Sequence, residues 1–180
     1  IPVSRVLSDH RSGMKAAGLH LLDLGHRRIA LIGGTPVRPA LERKAGLEDA
    51  FSERGLPATY TVDEGSFAVD HGATAMRRLL ELPEPPTAVI AGGNQLMLGA
   101  LRVVSERGIE LGRELSFVGC DDVAITDLFQ PAVSVVRRDN VAMGRMAAEL
   151  IVGRLRDGEP PGDVDLPTEF VARPSCGPPA

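Results

Sequence analysis

The chain has 180 residues, 43% of them hydrophobic and 24% charged, with a formal net charge of −4. An acidic balance excludes a surface whose main task is gripping nucleic-acid phosphates, because that affinity comes from clustered Lys and Arg. Trp is absent and Tyr60 is the one tyrosine, which excludes an aromatic platform for stacking single-stranded bases.

Taken in chain order, short apolar runs alternate with helical patterns. His10–Leu24 carries Met14, Ala17, Leu21 and Leu24 at helical spacing and stops at Gly25. Ile29–Ile32 reads as a buried strand closed by Gly33-Gly34. Ala40–Arg54 is a second amphipathic helix, with Leu41, Ala45, Leu47 and Phe51 turned inward. Thr59–Val62 is a strand, and Val69–Leu82 is a helix stopped by Pro83-Glu84-Pro85-Pro86. Thr87–Ala91 is a strand, followed by a helix from Asn94 to about Arg107. Leu115–Val118 and Val133–Val136 are further strands, separated by Gly119-Cys120-Asp121-Asp122 and a short helical turn. Val141–Arg156 is a long helix, and Val164–Val171 is a last extended segment. This alternation predicts an α/β doubly wound parallel sheet covered on both faces. No strand is expected to alternate cleanly between polar and apolar residues. Ligands of such sheets bind beyond the carboxyl ends of the strands, here after Ile32, Val62, Ala91 and Val118.

The candidate chemistry is sparse. Gly33-Gly34 follows a strand, but neither GxGxxG nor GxxxxGK[ST] is present, so a tight turn is expected there rather than a phosphate loop. Asp121-Asp122 are adjacent and need not converge; one carboxylate taking hydrogen bonds from ligand hydroxyls is expected, not a catalytic dyad. His26 lacks a nucleophile partner and reads as a structural corner. Ser8-Asp9-His10 cannot adopt triad geometry as three consecutive residues. Cys120 and Cys176 have no metal-ligand spacing and read as reduced thiols. No catalytic residue, metal or cofactor is expected, and no run of about 18 apolar residues exists to span a membrane. Asn94 precedes an apolar helical run and is the expected helix cap. Arg43, early in its helix, and Phe67, in a Gly-Ser-Phe-Ala turn, are candidate pocket residues.

Several stretches together resemble the LacI family of transcriptional regulators, whose effector domains are similar to periplasmic sugar-binding proteins. They are His20–Ala30, Arg43-Lys44-Ala45-Gly46, Gly65-Ser66-Phe67, Pro86–Ala91, Met97-Leu98-Gly99-Ala100, Leu115–Asp122, Pro131–Arg138, Gly144 and Arg173-Pro174-Ser175. The resemblance implies a periplasmic-binding-protein-like fold of type I, with two lobes around an effector. Most of this chain would be the C-terminal lobe. Residues 1–9 would be a remnant of the first lobe, 10–136 the second lobe, 137–160 a crossover and helix belonging to the first, and 161–180 a return strand and tail of the second. Arg43 matches the arginine that grips the ligand, Phe67 the aromatic packed against it, and Asp121 the acid that orients it. Gly93 stands where the family usually has Asn, and Arg138 where it has a hinge glutamine; that extra arginine favours an anionic or phosphorylated effector. The helix Val141–Arg156 would want a first-lobe sheet and is expected to be partly uncovered, or covered by another chain. The implied protein is a cytoplasmic homodimeric repressor, not an enzyme. It would sense a sugar or sugar derivative and bind operator DNA through a head absent from this chain. Its dimer contacts would involve the Leu96–Val104 helix. The alternative is a periplasmic sugar-binding protein of an uptake system.

Overall fold

A computed structural model describes residues 3–156, 158 and 162–180. Residues 1, 2, 157 and 159–161 fall within the expected first-lobe remnant, crossover helix and return segment, and lie outside the described residues. Among the described residues seven strands and six helices follow one another: β1 (Arg5–Asp9), α1 (His10–Asp23), β2 (Ile29–Gly33), α2 (Arg38–Glu53), β3 (Tyr60–Glu64), α3 (Val69–Leu80), β4 (Ala88–Ala91), α4 (Asn94–Arg107), β5 (Ser116–Cys120), α5 (Ala124–Leu128), β6 (Ser134–Arg138), α6 (Asn140–Arg156) and β7 (Asp163–Val171).

The strands form one ladder in the order β1-β7-β6-β5-β4-β2-β3. From β6 to β3 every neighbouring pair is parallel. Their central members are buried along their whole length, because helices cover both faces. Side chains alternate between those faces. Ala30, Ile32, Val89, Ala91 and Phe117 point to one core with Met76 of α3 and Leu101 of α4. Ile29, Leu31, Ala88, Ile90 and Val118 point to the other, with Leu21 of α1 and Leu47 and Phe51 of α2. A doubly wound sheet therefore carries two hydrophobic layers, each closed by a helix pair.

The last strand departs from expectation. β7 pairs in parallel with β1 through Asp163–Pro167, then antiparallel with β6 through Thr168–Val171. It also alternates cleanly: Asp163, Asp165, Pro167 and Glu169 are exposed, while Val164, Leu166, Thr168 and Phe170 are half-buried. That pattern belongs to a strand covered on one face only. Pro167 sits where the partner strand changes, a position at which a missing N–H interrupts no continuous ladder. β1, too short and polar to stand out in the sequence, completes this edge.

α6 is the outlier among the helices. None of its residues is buried, and Val141, Ile151, Val152 and Leu155 are exposed. An apolar groove of about 380 Å³ runs between it and β1, lined by Ser4, Val6, Met143, Ala147, Leu150 and Ile151.

Candidate functional site at the carboxyl edge of the sheet

The carboxyl ends of β1, β5 and β6 meet the first turns of α1 and α2, and side chains of opposite character gather there. β5 ends in buried apolar residues, and the chain must then turn sharply. Asp121 makes that turn at φ 79°, the one described non-glycine residue with positive φ. Asp tolerates this conformation better than most side chains, though at some cost in strain. Its N–H donates to the carbonyl of Val136, which ties the turn to β6. Its carboxylate accepts from Arg138 Nε at 2.8 Å, and the carboxylate is only 12% exposed.

Asp122 goes elsewhere. It accepts from both terminal nitrogens of Arg173 at 3.0 and 2.8 Å and from the Thr126 hydroxyl. Burial opposes its charge, but Arg173 and Thr126 outweigh that and hold it below the usual carboxylate range. The adjacent aspartates thus serve different arginines and make no acid–base pair.

Arg43 is buried in α2, 7% exposed. Among the described residues it makes no ion pair; its NH2 group donates to His10 Nδ1 at 3.4 Å. His10 is likewise buried, at the start of α1 just after the capping Asp9. Burial, then the positive charges of Arg43 and Arg138, pull its imidazole down to about 4, against smaller opposing effects of Glu42 and Asp121. It is neutral at physiological pH. The thiol of Cys120 is buried beside the same cluster, and burial pushes it up.

Phe67 and Gly93 form a second group, at the ends of β2 and β4. The Phe67 ring lies against Gly34, where a Cβ would run into it, and borders Gly93 at 3.3 Å from the position a Cβ would take. Two glycines therefore make the seat of one aromatic ring. The structure brings Arg43 together with His10, Asp121 with Arg138, and Phe67 with Gly93.

One expectation is corrected. Gly93, in extended conformation, occupies the cap of α4, which has no side-chain cap hydrogen bond. Asn94 is the first helical residue and is exposed. A cap must adopt non-helical backbone, and here the chain leaves the strand one residue earlier than the side-chain chemistry suggests. His10 has no role as a member of a Ser8-Asp9-His10 triad; the sequence signal that points to it is its place directly after a strand end. His26 is a structural tie: its ring meets Thr87 Oγ1 at 2.8 Å, Ser116 Oγ at 2.9 Å and the Gly177 carbonyl at 2.8 Å.

Among the described residues no group of three or more His, Cys, Asp or Glu side chains is arranged to hold a metal ion. No described helix is long and apolar enough to cross a membrane.

Comparison with known proteins identifies the fold. The family described as "Periplasmic binding protein-like domain" matches residues 19–176. The transcriptional regulator AglR of Rhizobium meliloti is 34% identical over 176 residues, covering 94% of this chain and 49% of that protein. The chain spans about half the length of the curated relatives it matches. A LacI family transcriptional regulator from Enterococcus faecium, solved with bound ribose, superposes with a TM-score of 0.88 at 25% identity, over 97% of this chain and 66% of that one. A dimeric lac repressor superposes with a TM-score of 0.85 at 26% identity, over 99% and 66%.

Proposed function

The chain belongs to the periplasmic binding protein-like domain family, in the form carried by LacI-family transcriptional regulators, and from that premise we propose that it is the effector-binding and dimerising part of a cytoplasmic DNA-binding repressor. The effector is a small polyhydroxylated molecule, a sugar or sugar derivative, held at the carboxyl edge of the sheet. The observation that carries this reading is the convergence there of buried Arg43, neutral His10 and the Asp121–Arg138 pair. Guanidinium and carboxylate groups in fixed positions supply the donors and acceptors that orient hydroxyl-rich ligands. Phe67 offers an apolar ring face at the neighbouring strand ends.

Effector and operator are coupled through the arrangement of two lobes. Residues 3–9 and α6 form the part of the first lobe contained in this chain, and the first half of β7, expected in the second lobe, joins them through its pairing with β1. The uncovered apolar face of α6 and its groove against β1 support that division, since they wait for further first-lobe sheet. A ligand that binds one lobe arrangement better shifts the balance toward it, and coupling of this kind is typically about 1–3 kcal/mol.

A second copy of the chain docks on the second lobe. Most of the Leu96–Val104 segment is consumed by the core, which leaves Leu98 on α4, with Leu128 of α5, as exposed apolar contacts. The relatives named as regulators favour this reading over a transporter-linked binding protein.

The test is DNA binding by the full-length product of the gene. Retention of DNA from upstream of its own operon, released or strengthened by one member of a sugar panel, supports the proposal. Failure to retain any such DNA contradicts it.

A further inference from the structure

Two polar groups at the carboxyl edge lack the partner their chemistry asks for. The Arg43 guanidinium is more than nine-tenths buried, and it meets a neutral imidazole at the long distance of 3.4 Å and the Cys120 thiol, neither of them a counter-charge. Buried charges are ordinarily paired. The carboxylates nearby are engaged elsewhere: Asp121 by Arg138, Asp122 by Arg173, and one oxygen of Glu42 by Arg38. The other oxygen of Glu42, Oε2, is buried with no hydrogen-bond donor. Glu42 and Arg43 are consecutive residues of α2, and the charges of both act on His10. Because Arg43 can only donate, Nδ1 of His10 accepts and its Nε2 carries the proton. Arg138, the residue whose charge favoured an anionic effector in the sequence, is neutralised by Asp121; Arg43 is the cation left over.

We propose that the effector is a sugar acid, its carboxylate seated on Arg43 with His10 Nε2–H as a further donor, and one hydroxyl donating to Glu42 Oε2. The proposal rests on the effector-site reading above and names its ligand class. A neutral sugar leaves the buried guanidinium without a counter-charge. A sugar phosphate satisfies Arg43 but brings a second negative charge toward Glu42 and Asp121.

The test is calorimetric titration of the full-length gene product with matched pairs, D-glucose with D-glucuronate and D-galactose with D-galacturonate, and with glucose 6-phosphate. The expected result is one acid binding at least about tenfold tighter than its neutral partner and than the phosphate. Its affinity falls as NaCl rises from about 0.05 M to about 0.5 M, and R43Q reduces the preference to below about threefold. Absence of acid preference in every pair overturns the proposal, whether the neutral sugars bind or nothing does. Tightest binding by the phosphate overturns it as well. If R43Q fails to fold, the paired wild-type titrations and their salt dependence decide. The effector-site reading is judged separately, by whether any member of the panel changes operator affinity.

Discussion

Arg138 Nε donates to Asp121 Oδ1 at 2.8 Å, joining the end of β6 to the turn that leaves β5. The pair is partly shielded, with side-chain exposures of 30% and 12%, so its attraction is screened less than that of a surface pair. It also settles the fate of the one arginine that the sequence set apart as extra charge: the carboxylate expected to orient a ligand is first of all oriented by Arg138.

A double-mutant cycle with Asp121→Asn and Arg138→Gln should measure this coupling. Each single change is expected to cost about 1 kcal/mol in urea denaturation, and the double mutant less than the sum by about 1 kcal/mol. Strict additivity would show the ion pair to be energetically idle.

The backbone at Asp121 makes a separate prediction. With the ion pair removed by Arg138→Gln, Asp121→Gly should be more stable than Asp121→Ala by about 1 kcal/mol, because φ is 79° there and only glycine adopts it without strain. Equal stabilities would mean that the turn relaxes.

His10 predicts a pH dependence. Its imidazole sits near 4 in the fold and near 6.5 when unfolded, so in acid the unfolded chain takes up the proton first. The contribution is complete above pH 6.5 and is lost as pH falls toward 4, by about 3 kcal/mol at most. The groups facing it are Glu42 and Arg43 of α2, Arg138 of β6 and Asp121 after β5. Stability profiles of wild type and His10→Gln should diverge over that window, the variant being flatter. Parallel profiles would remove His10 from the account.

Phe67 and Gly34 should be coupled as tightly as their packing implies. Gly34→Ala pushes a methyl into the ring and should cost about 1–3 kcal/mol. In a Phe67→Ala background the same change should cost less than about 0.5 kcal/mol. An equal cost in both backgrounds would mean that the ring is not what excludes the Cβ. Thermal denaturation of the four proteins decides it.

Much of this arrangement could be read from the chain alone. β2, β4 and β5 are legible because strands covered on both faces must be apolar throughout, and Gly25 marks the end of α1. β7 reads as an extended segment, and the alternation of Asp163, Asp165 and Glu169 with Val164, Leu166 and Phe170 is the sequence trace of its antiparallel, one-face-covered pairing. The cap of α4 is Gly93, one residue before Asn94, because side-chain preference cannot say where the backbone leaves the strand. Arg43, Phe67 and Asp121 were singled out by chemistry and by resemblance. The Asp121–Arg138 and Arg43–His10 contacts are not legible there, since they link residues 17 and 33 positions apart that meet only once β6 pairs with β5 and α2 packs on α1.

The most direct measurement is the operator affinity of the full-length gene product, by fluorescence anisotropy, with and without its ligand, for wild type and Arg43→Gln. If the carboxyl edge is an effector site coupled to DNA binding, the ligand changes wild-type affinity by about 5- to 150-fold. The variant then binds the operator as unliganded wild type does and ignores the ligand. A variant that responds to the ligand as wild type does, or a wild type whose operator affinity no ligand alters, would contradict the account.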